Sequence, residues 1–290
     1  MESEKTKRRL LPGLIAVVVG SLLVACSPGS APGSAPTSPT ADVPLQAGKQ
    51  STLPVDAMGF TAMSVDAKGV LYLGGGLGIS TLAPGATQST PLKLGGHPTV
   101  STLAAAPDGT LYFVTLDGVV ETVAPGAVAP EPLPFDKVQR YGQIAVARDG
   151  AVYLGDDQRD KLLKLSPGAV APTDLPVAGV DGPGHMVVDA DANLFVSMRG
   201  KVVKIAKDAT DAETVAGATE HAGGLAVDAA GNLYTTDVKA GTVSRRPAAG
   251  GDWAPLPFSG LQSPTDISVD DDGNVYVLNQ GSQVIRLAAK

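Results

Sequence analysis

The apolar and polar positions of this chain recur with a long period. Residues 63–75 read MSVDAKGVLYLGG, 103–115 LAAAPDGTLYFVT, 144–156 IAVARDGAVYLGD, 186–198 MVVDADANLFVSM, 225–237 LAVDAAGNLYTTD and 267–279 ISVDDDGNVYVLN. Each copy is an apolar run, an aspartate or its replacement, a small polar turn, and a second apolar run with an aromatic residue. The aromatic column is Tyr72, Tyr112, Tyr153, Phe195, Tyr234 and Tyr276, at gaps of 40, 41, 42, 39 and 42 residues. A third run follows, as at 162–165 (LLKL), 202–205 (VVKI) and 284–287 (VIRL). Pro-Gly turns at 83–86, 124–127 and 166–169 then lead to a fourth, at 91–94 (PLKL), 132–135 (PLPF), 174–177 (DLPV) and 255–258 (PLPF).

Four short runs separated by turn residues make one antiparallel sheet, and a period near 40 is that of a β-propeller blade. No window keeps a helical period. The runs are apolar throughout rather than strictly alternating, because a blade is covered on both faces by its neighbours. The sixth copy stops one strand short, while residues 51–55 (STLPV) fit the fourth-run column ahead of the first copy. The predicted fold is all-β: a six-bladed propeller over 50–290, its last blade completed by an N-terminal strand that removes an open edge.

The acidic stretch from Asp266 to Asn279 invites a calcium-loop reading. The same column, however, holds a turn in every copy, between the first and second strands. Glycine and asparagine supply positive φ there, and aspartate bonds its own backbone. The spacing also lacks the glutamate that closes a twelve-residue calcium loop. No metal and no cofactor is expected. GGGLG at 74–78 has no following helix, which removes a phosphate-loop reading.

The units 223–237 (GGLAVDAAGNLYTTD) and 264–288 (PTDISVDDDGNVYVLNQGSQVIRLA) resemble NHL repeats. The joint 254–270 (APLPFSGLQSPTDISVD) is similar to the extracellular sensor propeller of actinobacterial receptor Ser/Thr protein kinases. The resemblance covers about 50–290 and implies a binding or sensor propeller. NHL-type propellers are occasionally lyases, so an enzyme is implied as the alternative. The copies depart from the pattern at Ala106 and Ala147, which replace the aspartate, and at Ala192, which replaces the turn glycine. None of the kinase catalytic motifs is found.

Residues 1–25 combine Lys5, Lys7, Arg8 and Arg9 with an apolar run from 10 to 25, the layout of a secretory signal. The run ends Leu23-Val24-Ala25-Cys26, which resembles the lipobox of bacterial lipoproteins and implies cleavage before Cys26 and lipidation of its thiol. Cys26 is the only cysteine. Residues 26–49, rich in Pro, Gly, Ser, Ala and Thr, are expected to be a flexible tether. The expected location is the extracytoplasmic face of the cell membrane, held by the lipid alone. Residues 1–25 hold four of the 22 cationic and two of the 29 anionic side chains, so the remainder is at a formal −9. That balance opposes nucleic acid as a partner. A monomer is expected.

Candidate chemistry falls on the rim carrying the strand-four-to-one and strand-two-to-three connections, which are irregular where the other rim is repetitive. All three histidines, His97, His185 and His221, lie in four-to-one connections. Tyr141, Arg159, Arg199, Asp237, Asp266 and Asn279 belong to the same rim. With His185 and His221 they form the expected ligand-binding set, and the arginines suit a carboxylate-bearing ligand. Two function classes stay open. One is a module recognising a protein, peptide or glycan of the cell envelope. The other is a lyase or hydrolase using His, Arg and Asp at the channel mouth. No residue is assigned a catalytic role.

Overall fold

The structure, a computed structural model, describes residues 47–55, 59–95, 98–138, 142–156 and 159–289. They belong to the unit Asp42–Lys290. The expected signal, Cys26 and most of the expected tether lie outside them, as do His97 and Tyr141.

The strands form six four-stranded antiparallel sheets, each a blade. The inner strands are Phe60–Val65, Val100–Ala105, Gln143–Val146, Met186–Val188, Ala222–Val227 and Pro264–Val269, in blades one to six. Each packs against the next, and the sixth returns against the first, so the ring is closed. Second strands such as Leu71–Gly75, Val152–Asp156, Leu194–Met198 and Val275–Asn279 are buried along their whole length. This is the physical reason for their unbroken apolar runs, since each face meets a neighbouring blade. Burying one Val or Leu side chain contributes about 1.5–3 kcal/mol, so the seams between blades are the core.

Closure falls in the expected column. Ala47–Thr52 pairs antiparallel with Gln283–Ala289 as the outer strand of blade six. Leu53 N–H donates to Val284 O at 2.8 Å, as Leu92 does to Ile79 and Leu256 to Val243, also at 2.8 Å. Leu53 is therefore the fourth-strand leucine of blade six. The pairing begins upstream of 51–55, and at 6 residues this outer strand is longer than those of the other blades, such as Thr90–Pro91 at 2.

The recurring turn is a tight hairpin. In blade six, Gly273 N–H donates to Asp270 O at 2.9 Å and Asp270 N–H to Asn274 O at 3.2 Å. The glycine φ is 73° at Gly69, 91° at Gly109, 86° at Gly150, 83° at Gly231 and 79° at Gly273. Blade four meets the same demand with Ala192 at 63°, a left-handed conformation that costs a residue bearing Cβ. The turn aspartates are occupied by this local work. Asp270 Oδ1 accepts from Asn274 N–H at 2.8 Å, and its Oδ2 accepts from Asn274 Nδ2 at 2.7 Å and Tyr276 Oη at 2.8 Å. Asp228 and Tyr234 repeat the bond at 2.9 Å, and Asp66 and Tyr72 at 3.1 Å. Burial, then the charge of Asp66, pushes the Tyr72 hydroxyl up to about 12. The Asp–Tyr bond links the two columns in blades one, five and six; blades two and three keep the tyrosine without the aspartate, and blade four the aspartate with Phe195.

Candidate functional site

Four positions before the turn aspartate or its alanine replacement stand Ala62, Thr102, Gln143, His185, Gly224 and Asp266, within the inner strands or, for His185, directly ahead of one. Two are small and four are polar. Thr102, Gln143, His185 and Asp266 line a central cavity of about 180 Å³ built from all six inner strands. They form a polar collar at the end of the channel belonging to the irregular rim. At the other end of the same strands stand Val65, Ala105, Val146, Val188, Val227 and Val269, an apolar ring in the same cavity.

His185 and Asp266 converge although they belong to blades four and six. His185 Nδ1 stands 3.6 Å from Asp266 Oδ1, with the side chains 29% and 9% exposed. That exceeds a hydrogen bond, so the imidazole is beside the carboxylate without being tied to it. Blade five lies between them and has Gly224 in the column. A Cβ there would lie 2.8 Å from Asp266 Cα and from Ile267 N. Glycine thus lets blades five and six close up and leaves no side chain between His185 and Asp266.

Asp266 also has a structural duty. Its Oδ2 accepts from Met63 N–H at 2.7 Å, across the seam where the ring closes, and its Oδ1 from Ile267 N–H at 2.8 Å. Burial pushes its carboxyl up from the ordinary value, against His185 and the two amides, which pull the other way. Two serines knit the same side of the ring. Ser268 Oγ accepts from Val65 N–H at 3.1 Å and Ser64 Oγ from Ala105 N–H at 2.9 Å. Thr102 Oγ1 reaches Gln143 Oε1 at 3.5 Å, the limit of a hydrogen bond.

The other expected residues do not join this collar. Arg159, which reads as unpaired in the sequence, bonds the buried Asp156, Nη1 to Oδ2 at 3.1 Å and N–H to Oδ1 at 3.2 Å. Asp237 organises its own turn, accepting from Lys239 N–H at 2.9 Å and Ala240 N–H at 2.7 Å. The Thr219 hydroxyl also donates to it. Burial acts to raise the Asp237 carboxyl, but Thr219 and the two amides outweigh it and hold it below the ordinary value. His221 belongs to this second group, its N–H on Thr219 Oγ1 at 3.1 Å. Asn279 is buried and accepts from Gln262 N–H at 2.6 Å. Arg199 is exposed beside the channel, in a depression that shares Gln143 with it. Neither Arg159 nor Arg199 lines the channel. Thr102 and Gln143, absent from the expected set, do line it. Their signal was the column they share with His185 and Asp266.

The opposite mouth differs. There Arg148 of blade three and Asp271 of blade six, which face each other across a six-membered ring, approach with Nη2 and Oδ1 4.0 Å apart. Among the described residues no group of three or more metal-ligating side chains is present.

No protein-family model matches the chain, and no curated protein sequence matches it. Solved structures do. Virginiamycin B lyase from Staphylococcus aureus superposes with a TM-score of 0.63 at 14% identity, covering 83% of this chain and 99% of that one. A chain of the nidogen/laminin complex gives 0.66 at 18% identity, covering 76% and 89%. An auxiliary nutrient binding protein from Bacteroides ovatus gives 0.65 at 13% identity, covering 81% and 70%. The likeness is one of fold: this chain has the six-bladed β-propeller architecture.

Proposed function

We propose that this chain is a membrane-tethered, extracytoplasmic binding propeller of NHL type. Its lipidated Cys26 and the 26–49 tether hold the ring at the cell surface, where it recognises a protein, peptide or glycan of the envelope. The observation that carries the reading is the convergence of Thr102, Gln143, His185 and Asp266 on one mouth of the channel. A concave site with a few convergent polar groups is the usual form of a binding site on such a scaffold. The fold is shared with proteins described as a nutrient-binding protein and as part of a laminin complex, which suits a binding role.

The test is capture from an envelope extract by the intact protein on its membrane. Q143A with H185A is expected to keep the melting temperature and lose the captured species. R148A with D271A, on the opposite mouth, is expected to keep it. Unchanged capture by the collar variant, with loss in the other, places the ligand on the wrong rim and rejects the reading.

One observation favours a second reading, a lyase or hydrolase. An imidazole beside a buried carboxylate of raised pKa is equipment for proton transfer. Incubation with virginiamycin B, the substrate named for one structural relative, separates the two. Consumption that disappears in H185A makes this an enzyme. No consumption leaves the binding reading in place.

A further inference from the structure

The channel cavity, about 180 Å³, is smaller than the ~300–1,000 Å³ usual for a ligand pocket. Beside it, on the same rim, lies a depression of about 400 Å³. It is walled by Asp160, Asp181, Arg199 and Lys201, with Pro183 and Met198 between them, and Gln143 belongs to both hollows. The two therefore adjoin at Gln143.

The depression is built rather than accidental. Asp160 sits in the strand-two-to-three turn of blade three at a φ of 49°, a left-handed conformation. Its Oδ1 accepts from Gly182 N–H at 3.0 Å, in the connection leading to blade four. Asp181 N–H points at Met198 Sδ, 3.3 Å away. These bonds tie two loops of different blades together and fix the wall. They occupy one oxygen of Asp160 and leave the Asp181 carboxylate, the Arg199 guanidinium and the Lys201 ammonium without a bond or ion pair to any other described residue. Two cations and two anions thus line a hollow with an apolar patch between them, and of the two carboxylates it is Asp181 that makes no side-chain bond. An Arg fork prefers a carboxylate, and the Asp181 carboxylate prefers an ammonium.

We propose that this depression binds a small zwitterion: the carboxylate of a free amino acid or an unblocked short peptide on Arg199 and Lys201, and its ammonium on Asp181. The proposal rests on the reading that this rim is the binding face, and it names the ligand class for it. Gln143 then stands between the depression and the collar.

Equilibrium dialysis of the full-length protein in detergent, with radiolabelled alanine and alanylalanine, tests it. Each probe is run beside its N-acetylated and C-amidated forms. Unblocked probe is retained, and blocking either end weakens retention about tenfold or more, the scale of one lost charged hydrogen bond. R199Q with K201Q, and separately D181N, give a similar loss. Retention of alanine identifies the free amino acid, and retention of alanylalanine alone identifies the peptide. H185Q is run in parallel. Binding that falls only in H185Q assigns the ligand to the channel and overturns the depression while leaving the wider reading intact. Equal retention of blocked and unblocked forms, or no retention of any probe, also overturns the proposal.

Discussion

Ala192 is the residue whose replacement tests the blade geometry most directly. It occupies the turn position that glycine holds in the other copies, at a φ of 63°. A left-handed backbone costs an L-residue about 1–2 kcal/mol, because Cβ crowds the following carbonyl. Ala192→Gly removes that cost and returns part of it, about 0.4–1 kcal/mol, as greater freedom of the unfolded chain. The net expectation is a gain of about 0.5–1 kcal/mol. For a domain of this size, 1 kcal/mol moves the melting temperature by about 2–4 °C. The reciprocal change is Gly150→Ala, at a φ of 86°. A Cβ there would meet only Pro167 Cγ at 3.8 Å, an ordinary contact, so its cost is conformational and about 1 kcal/mol or more. Thermal melts of both variants beside the parent, followed by circular dichroism, give the answer. Opposite shifts support the argument. A drop in A192G, or a harmless G150A, refutes it.

Four other outcomes are open to measurement. Gly224→Ala forces Cβ to within 2.8 Å of backbone in blade six, so the five–six seam must open; a melt should show about 1–3 kcal/mol of destabilisation, and a neutral result refutes the close approach. Deleting Ala47–Thr52 exposes the edge of Gln283–Ala289, and size-exclusion chromatography should show association, whereas an unaltered monomer peak contradicts closure by that strand. Asp266 has a raised folded pKa, so its contribution to stability is greatest below the ordinary value of 3.8 and is lost as pH rises through the folded value. The melting temperature of the parent minus that of D266N should therefore fall across that window, and a flat difference counts against it. Cys26→Ser should release the protein from the membrane fraction, and unchanged sedimentation with membranes rejects lipid anchoring.

Much of the ring was legible because turns and strands leave local marks. The Asp–Tyr pair recurs in blades one, five and six, bonded each time within one hairpin, as Asp270 is to Tyr276. The fourth-strand leucine could be followed from Leu92 to Leu53 because each donates the same bond. The collar was only half legible. His185 and Asp266 were candidates on rim position alone, but their meeting depends on Gly224 in the blade between, a relation that exists only once the strands stand in a ring. Thr102 and Gln143 passed unnoticed because neither residue type signals chemistry outside its column. Arg159 read as free because its partner, Asp156, looks like the end of an apolar strand.

The Arg148–Asp271 bridge adds a link of a different kind to the ring. Blades three and six are not neighbours, so this pair is a strut between opposite sides rather than a seam between adjacent ones. His185 and Asp266 make a similar, closer approach at the collar, between blades four and six. The two approaches differ in how much water reaches them. Both side chains of the Arg148–Asp271 pair are more than half exposed, and such a pair is weakened by salt. Ionic strength therefore acts on this strut while leaving the buried seams between the blades untouched.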